Sequence, residues 1–162
     1  MSVADIVAVV RDGRLEQAGA PRELYDFPAT PFVADFLGRV NLIPATLSVD
    51  AVSLLGRSFP RPKTTFSDGP VLCALRPEKI ALAPPEEGNL LGVVRKSTFI
   101  GPVIRFIIDV GAERPLVVEE SAASARTASP GESVSIRFSP EDLRLFGNTS
   151  PETAPMKKEA TP

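Results

Sequence analysis

The stretch GVVRKSTFIGPVIRFIIDVG, residues 92–111, predicts two antiparallel strands joined by a turn at Gly101 and Pro102. In its second half an apolar side chain occupies every second position, and the same alternation returns in VSIRF, residues 134–138. This period of two is typical of a strand with one buried face. We therefore expect a β core built from seven side chains: Ile104, Phe106, Ile108, Val110, Val134, Ile136 and Phe138.

From residue 41 onward the chain consists of short β-like runs separated by Gly, Pro, Ser and Asp, which favours a mainly β fold with a small barrel or sandwich. The polar, proline-containing residues 57–69 are predicted to form a loop, and the apolar-poor residues 148–162 a disordered tail. The predicted strands are residues 42–49, 52–55, 71–75, 79–82, 91–100, 103–110, 116–119, 133–138 and 143–146.

Residues 1–38 have a different pattern. The apolar run at residues 6–10 is followed by Asp12-Gly13, a pair that favours the turn of a β-hairpin. Two short helices are then predicted, one with Pro21 at its first position and one with Thr30 as N-cap. Phe32 and Phe36 should share one face of the second helix.

Composition and missing residue types exclude several functions. A net charge of −2 gives no long-range attraction to nucleic acid, and we expect no nucleic-acid partner. No apolar run approaches the roughly 20 residues that span a bilayer. The chain has no histidine for a Ser-His pair, and its single cysteine, Cys73, lies in an apolar run that indicates an inert buried thiol. None of the five lysines follows a glycine, so no phosphate-binding loop is present.

DGRLEQAGAPRELYDFPATPFVADFLG, residues 12–38, resembles the end of the ATPase domain in binding-protein-dependent ABC importers of the sulfate, polyamine, ferric-iron and maltose type. LRPEKIAL (75–82), residues 92–111, PGESVSIRF (130–138) and EDLRLF (141–146) resemble the transport-associated OB (TOBE) domain that follows in these subunits. The resemblance implies an ATPase remnant at 1–38, an OB-like β-barrel at 39–147 and a tail at 148–162, without the catalytic ATPase core.

The function implied by this resemblance is a non-catalytic regulatory and dimerisation domain of an importer's ATP-binding subunit. The implied partners are a second copy through the OB-like domain and, in the full-length parent, the importer's membrane subunits; the implied location is cytoplasmic, at the inner membrane. No cofactor, metal or catalytic residue is expected in this chain, because the resemblance implies that ATP and Mg²⁺ bind in the full-length parent. The alternative is an oxyanion sensor of the sulfate or molybdate type, with backbone amides near Thr98 and Gly101 as acceptor sites.

Arg76-Pro77-Glu78 is the tightest local signature of the OB-like part. Its charged pair suits either a structural clamp within the barrel or a contact with a facing subunit or regulator. The other candidate interface or regulatory residues are Phe99, Gly101 and Pro102.

Without an ATPase core, residues 1–38 should expose apolar side chains and therefore fray, dock onto the barrel, or exchange between two copies. The side chains expected to be exposed are Ile6, Val7, Val9, Phe32, Phe36 and Leu37.

Overall fold

A computed structural model describes residues 4–124 and 128–147, which contain twelve strands and two short α-helices. The elements are β1 (Val7–Arg11), β2 (Arg14–Gly19), α1 (Pro21–Asp26), α2 (Pro31–Leu37), β3 (Asn41–Leu47), β4 (Ala51–Leu54), β5 (Arg57–Pro60), β6 (Gly69–Leu75), β7 (Ala81–Ala83), β8 (Leu90–Ile100), β9 (Val103–Asp109), β10 (Leu116–Ser121), β11 (Ser133–Arg137) and β12 (Arg144–Phe146). Single 3₁₀ turns lie at Pro77–Lys79 and Pro140–Asp142.

The local signals near the N-terminus give the predicted elements. Asp12 and Gly13 both have positive φ, +50° and +76°, and connect antiparallel β1 and β2. The Thr30 hydroxyl accepts a hydrogen bond from the Val33 amide at 3.2 Å, which caps α2. The rings of Phe32 and Phe36 stack with centroids 5.8 Å apart, as expected for positions on one helix face.

Two five-stranded sheets form the main body, with strand orders β10-β9-β8-β11-β7 and β12-β6-β3-β4-β5. Their inner faces contribute to a single cluster of buried apolar residues. All pairings between these strands are antiparallel, and β8 carries a bulge near Arg95. The predicted mainly β, OB-like barrel with a preceding hairpin and two helices is confirmed.

The predicted core positions face this cluster. Ile104 and Val110 are half-buried and pack against it at the two ends of the β9 run. The other five are at most 6% exposed: Phe106, Ile108, Val134, Ile136 and Phe138.

Residues 57–60 correct the predicted loop, because they form strand β5. Leu55 and Gly56, with φ of +52° and +71°, make a tight turn that returns the chain along β4. The ring of Phe59 is buried and lies 4.9 Å from the ring of Phe138 across the barrel. The predicted disordered tail, residues 148–162, lies outside the described residues.

The N-terminal hairpin and helices have a small core of their own, made by Val9, Leu24 and Val33. The expected exposure is therefore wrong for Val9, which is 1% exposed, whereas Ile6 and Phe36 are 72% and 57% exposed. In the described part of the chain, no helix is both long and apolar enough to cross a membrane.

Candidate functional site

Arg76 joins the N-terminal helices to the barrel. It follows β6, and its side chain reaches α1 and α2: Nη1 donates to the carbonyls of Ala34 (2.9 Å) and Arg39 (3.1 Å), and Nη2 to that of Tyr25 (3.2 Å). The residue is only 9% exposed. Burial lowers the pKa of its guanidinium, while the nearby Tyr25 and Glu78 act in the opposite direction.

Tyr25 completes this contact from the helical side. The Arg76 guanidinium carbon lies 3.9 Å from the centroid of the Tyr25 ring, within the range of a cation–π interaction. The Tyr25 hydroxyl donates a hydrogen bond to Oε1 of Glu78, in the 3₁₀ turn. Burial, followed by this hydrogen bond, raises the pKa of Tyr25 to about 12.

Gly38 lies where Tyr25 and Arg76 leave little space for a larger side chain. A Cβ placed on Gly38 would lie 3.2 Å from Cε2 of Tyr25 and 3.4 Å from Nη1 of Arg76. Its φ of 171° is extended backbone that any residue adopts, so the constraint is space and not conformation.

Arg144 makes a second link of the same kind. Its Nε donates to the carbonyl of Asp26 at 2.6 Å, and its Nη1 to that of Glu141 at 3.2 Å. Its guanidinium carbon lies 4.6 Å from the centroid of the Phe27 ring. Two arginines of the barrel therefore hold backbone carbonyls of α1 and the residues after it. We call the contact made by Tyr25, Asp26, Arg76, Glu78 and Arg144 the junction.

A cleft of about 200 Å³ opens at the junction between the helices and the barrel. Its charged lining contains two ion pairs, Lys79 with Asp142 (3.3 Å) and Arg22 with Asp26 (3.4 Å). The remaining lining residues are Tyr25, Phe27, Pro28, Ala34, Val40, Ala74, Arg76 and Arg144.

The other predicted candidates lie on a different element, the tip of the β8–β9 hairpin. Phe99 is 71% exposed, and Gly101 takes the positive φ of +61° that the turn requires. The Pro102 carbonyl accepts a hydrogen bond from the Ala122 amide at 2.9 Å. The structure thus brings Arg76, Pro77 and Glu78 together at the junction and places Phe99, Gly101 and Pro102 at the hairpin tip.

Cys73 lies in β6 and is fully buried. Burial raises the pKa of its thiol to about 12, so the reactive thiolate is disfavoured. Within residues 4–124 and 128–147, no group of three or more His, Cys, Asp or Glu side chains is placed to hold a metal ion.

Comparison with known families matches residues 73–146 to the TOBE domain. Residues 73–146 therefore resemble a TOBE domain. The matched range begins in β6 and ends at the last residue of β12, so it contains Arg76, Glu78, Arg144 and the β8–β9 hairpin.

Similarity to known proteins extends upstream of residues 73–146. The chain is 33% identical over 155 residues to "Spermidine/putrescine import ATP-binding protein PotA" of Acidothermus cellulolyticus, covering 87% of this chain and 40% of that protein. It is 28% identical over 151 residues to "Fe(3+) ions import ATP-binding protein FbpC" of Brucella abortus, covering 90% and 42%. The chain therefore spans about 40% of the length of these curated relatives and resembles the C-terminal region of importer ATP-binding subunits.

A solved structure supports the OB-like fold of this chain. The cytoplasmic molybdate-binding protein ModG superposes with a TM-score of 0.52 at 14% identity, covering 65% of this chain and 94% of that one. At this identity the likeness concerns the fold.

The sequence did not reveal Tyr25 and Arg144 as residues of the junction, nor the role of Asn41 within the barrel. The buried Asn41 amide donates to the carbonyls of Leu75 (3.2 Å) and Val117 (2.9 Å) and accepts from the Val117 amide (2.7 Å), so it connects the two sheets of the barrel. Asn41 is polar within an otherwise β-like run, which was a usable signal. Arg144 is 118 positions from Asp26, and no local pattern indicates such a contact.

Proposed function

We propose that this chain is the non-catalytic regulatory and dimerisation part of the ATP-binding subunit of a binding-protein-dependent ABC importer. The observation that carries the proposal is the similarity to importer ATP-binding subunits over 87–90% of the chain, together with the TOBE domain match. The named relatives import polyamines or Fe(3+) ions, which supports cargo of one of these two kinds for the parent transporter. We propose that the full-length parent assembles with the membrane subunits of such an importer at the cytoplasmic face of the membrane.

In this proposal ATP and Mg²⁺ bind to a catalytic core outside this sequence, and the chain itself has no cofactor. The sequence has no glycine-lysine pair, no adjacent glycines and no histidine with which to bind or hydrolyse nucleotide. An ATP turnover assay on the purified chain tests this point. Phosphate release above that of a buffer control, retained through repeated purification, would contradict the non-catalytic assignment.

The junction supports the regulatory part of the proposal. A displacement of α1 and α2 must break or move the guanidinium–carbonyl contacts of Arg76 and Arg144, and in this proposal these contacts transmit the movement to the barrel. These contacts favour a clamp role for Arg76 and Glu78, with partners in the helical segment instead of within the barrel.

For the dimer we propose the tip of the β8–β9 hairpin as the contact. Phe99 is 71% exposed at the tip, and Ile100 beside it is 38% exposed. Exposed aromatic side chains are enriched in protein interfaces. The proposed partner is a second copy of this chain.

Sedimentation velocity over about 1–100 µM, a range that reveals a micromolar Kd, tests the dimer. Self-association should weaken in Phe99→Ser and persist in Phe36→Ser, a control of the same residue type that is 57% exposed on α2. A monomer at all concentrations would overturn the dimer proposal. If Phe36→Ser dissociated the dimer and Phe99→Ser did not, the dimer contact would lie on the helices and not at the hairpin tip.

A further inference from the structure

The cleft at the junction carries more positive than negative charge. Its lining contains four cationic side chains, Arg22, Arg76, Lys79 and Arg144, and two carboxylates, Asp26 and Asp142, which leaves a local charge of +2. The surplus stands out against a chain whose net charge is −2.

The surplus charge belongs to the two junction arginines. Lys79 and Arg22 are each paired with a carboxylate in the cleft. The hydrogen-bond acceptors of Arg76 and Arg144 are instead neutral backbone carbonyls. Within the described ranges neither guanidinium makes an ion pair with a carboxylate; for Arg76 the charges of Glu78, Asp26 and Asp35 act at longer range.

Both arginines are also held in fixed positions with donors to spare. A guanidinium has five N–H groups. Described carbonyls accept three hydrogen bonds from Arg76 and two from Arg144, leaving two and three N–H groups respectively for water or a ligand. The guanidinium carbons lie over the rings of Tyr25 and Phe27, and the remaining N–H donors lie in the guanidinium planes. Planar guanidinium edges match the oxygens of phosphate and carboxylate groups.

We propose that the junction cleft binds a small phosphate-type anion with two or more negative charges, coordinated by Arg76 and Arg144 with Lys79 and Arg22 at the rim. A buried cation without a counter-ion is costly, and such an anion supplies the missing charge. The volume of about 200 Å³ equals that of roughly six or seven liquid waters at about 30 Å³ each. It therefore suits inorganic phosphate, pyrophosphate or a short phosphorylated compound.

The consequence of such binding is a coupling between ligand and conformation. The anion would contact the barrel through Arg76 and Arg144 and the helical segment through Arg22, so it stabilises the docked position of α1. A ligand that binds the docked state only increases its stability by mass action. This site is separate from the hairpin tip and does not depend on the importer assignment.

Isothermal titration calorimetry of the whole chain with inorganic phosphate and pyrophosphate, at constant ionic strength, tests the proposal. We expect saturable one-to-one binding of at least one of them with Kd below about 1 mM, and no heat from acetate, which carries one charge. The proposal is overturned if neither phosphate nor pyrophosphate saturates the chain at about ten times that Kd. It is also overturned if acetate binds equally well.

Substitutions that change the cleft charge in opposite directions locate the site. Lys79→Gln should weaken binding at least about tenfold, and Asp142→Asn should strengthen it several-fold, because the first removes an attractive charge and the second a repulsive one. Arg57→Gln, on β5 and outside the cleft lining, changes the net charge as Lys79→Gln does and should leave binding unchanged. Neither cleft variant removes a junction arginine, so both should fold. Equal effects of Lys79→Gln and Arg57→Gln would show non-specific attraction and refute the cleft as the site.

Discussion

Replacing Arg76 by alanine should destabilise the chain by about 4 kcal/mol. The change leaves three backbone carbonyls, those of Tyr25, Ala34 and Arg39, without their donor. An unsatisfied buried polar group costs about 1–3 kcal/mol, and we take about 1 kcal/mol for each because water can reach the enlarged cleft. The lost cation–π contact with Tyr25 adds about 1 kcal/mol.

Thermal and urea denaturation measure this loss. For a chain of this size each kcal/mol shifts Tm by about 2–4 °C, so Tm should fall by about 8–16 °C. Arg76→Lys should lose about half as much stability. The lysine ammonium retains the positive charge, but it lacks the planar fork of donors with which the guanidinium reaches three carbonyls. Arg57→Ala, an exposed arginine on β5, should stay within about 0.5 kcal/mol of the unmodified chain.

Hydrogen exchange then distinguishes a local from a global role. If Arg76 holds the helices on the barrel, the amides of Phe27 and Ala34, which bond within the helical segment, should lose more protection than the amide of Phe106 in β9. Unchanged self-association in Arg76→Ala would favour the clamp over an interface role. If Arg76→Ala lost less than about 1 kcal/mol of stability, the loss would be no larger than that expected for an exposed salt bridge. This result would refute the assignment of Arg76 as the main link between the helices and the barrel.

Three further predictions concern side chains around the junction and in the core. Tyr25 is the sole tyrosine and the chain has no tryptophan, so absorbance near 295 nm should report its titration near pH 12. Because the pKa of Tyr25 is higher in the folded chain than in the unfolded chain, the free energy of unfolding should fall between about pH 10 and 12. Tyr25→Phe should remove this pH dependence. Titration near pH 10 in the folded chain would contradict the burial of Tyr25 and its hydrogen bond to Glu78. Cys73 should react with a thiol reagent at pH 8 at least about a hundredfold more slowly than in urea; equal rates would mean that β6 opens readily. Gly38→Ala should cost about 1–2 kcal/mol in urea denaturation, since its methyl group must displace Tyr25 or Arg76, and a neutral effect would mean that the junction yields easily.

The sequence was most informative where structure is determined by neighbours along the chain. The alternation in residues 103–110, the Asp12-Gly13 turn and the Thr30 cap all depend on residues a few positions apart, and each is present as predicted. Strand β5 was missed because RSFP is short and half polar. What makes it a strand is the turn at Leu55-Gly56, where a leucine adopts a positive φ, and the tertiary contact of Phe59 with Phe138.

The site was predictable only in part for the same reason. Arg76, Pro77 and Glu78 stood out as a local signature, but their partners did not, since Arg76 reaches Ala34 across 42 positions and Tyr25 reaches Glu78 across 53. Contacts of this separation follow from the docking of the helices on the barrel, and periodicity carries no information about that docking.

The chemistry of the junction explains how a small segment keeps a defined position on the barrel. The apolar part of the contact is limited, with Ala34 packing against Leu72, Ala74 and Phe146. Apolar packing of small side chains is not directional and tolerates sliding. Guanidinium–carbonyl hydrogen bonds are directional, and two arginines at separate points on the barrel fix both the position and the rotation of α1. The same arrangement leaves two cations without a carboxylate in the cleft, so the feature that fixes the helices also prepares the cleft for an anion.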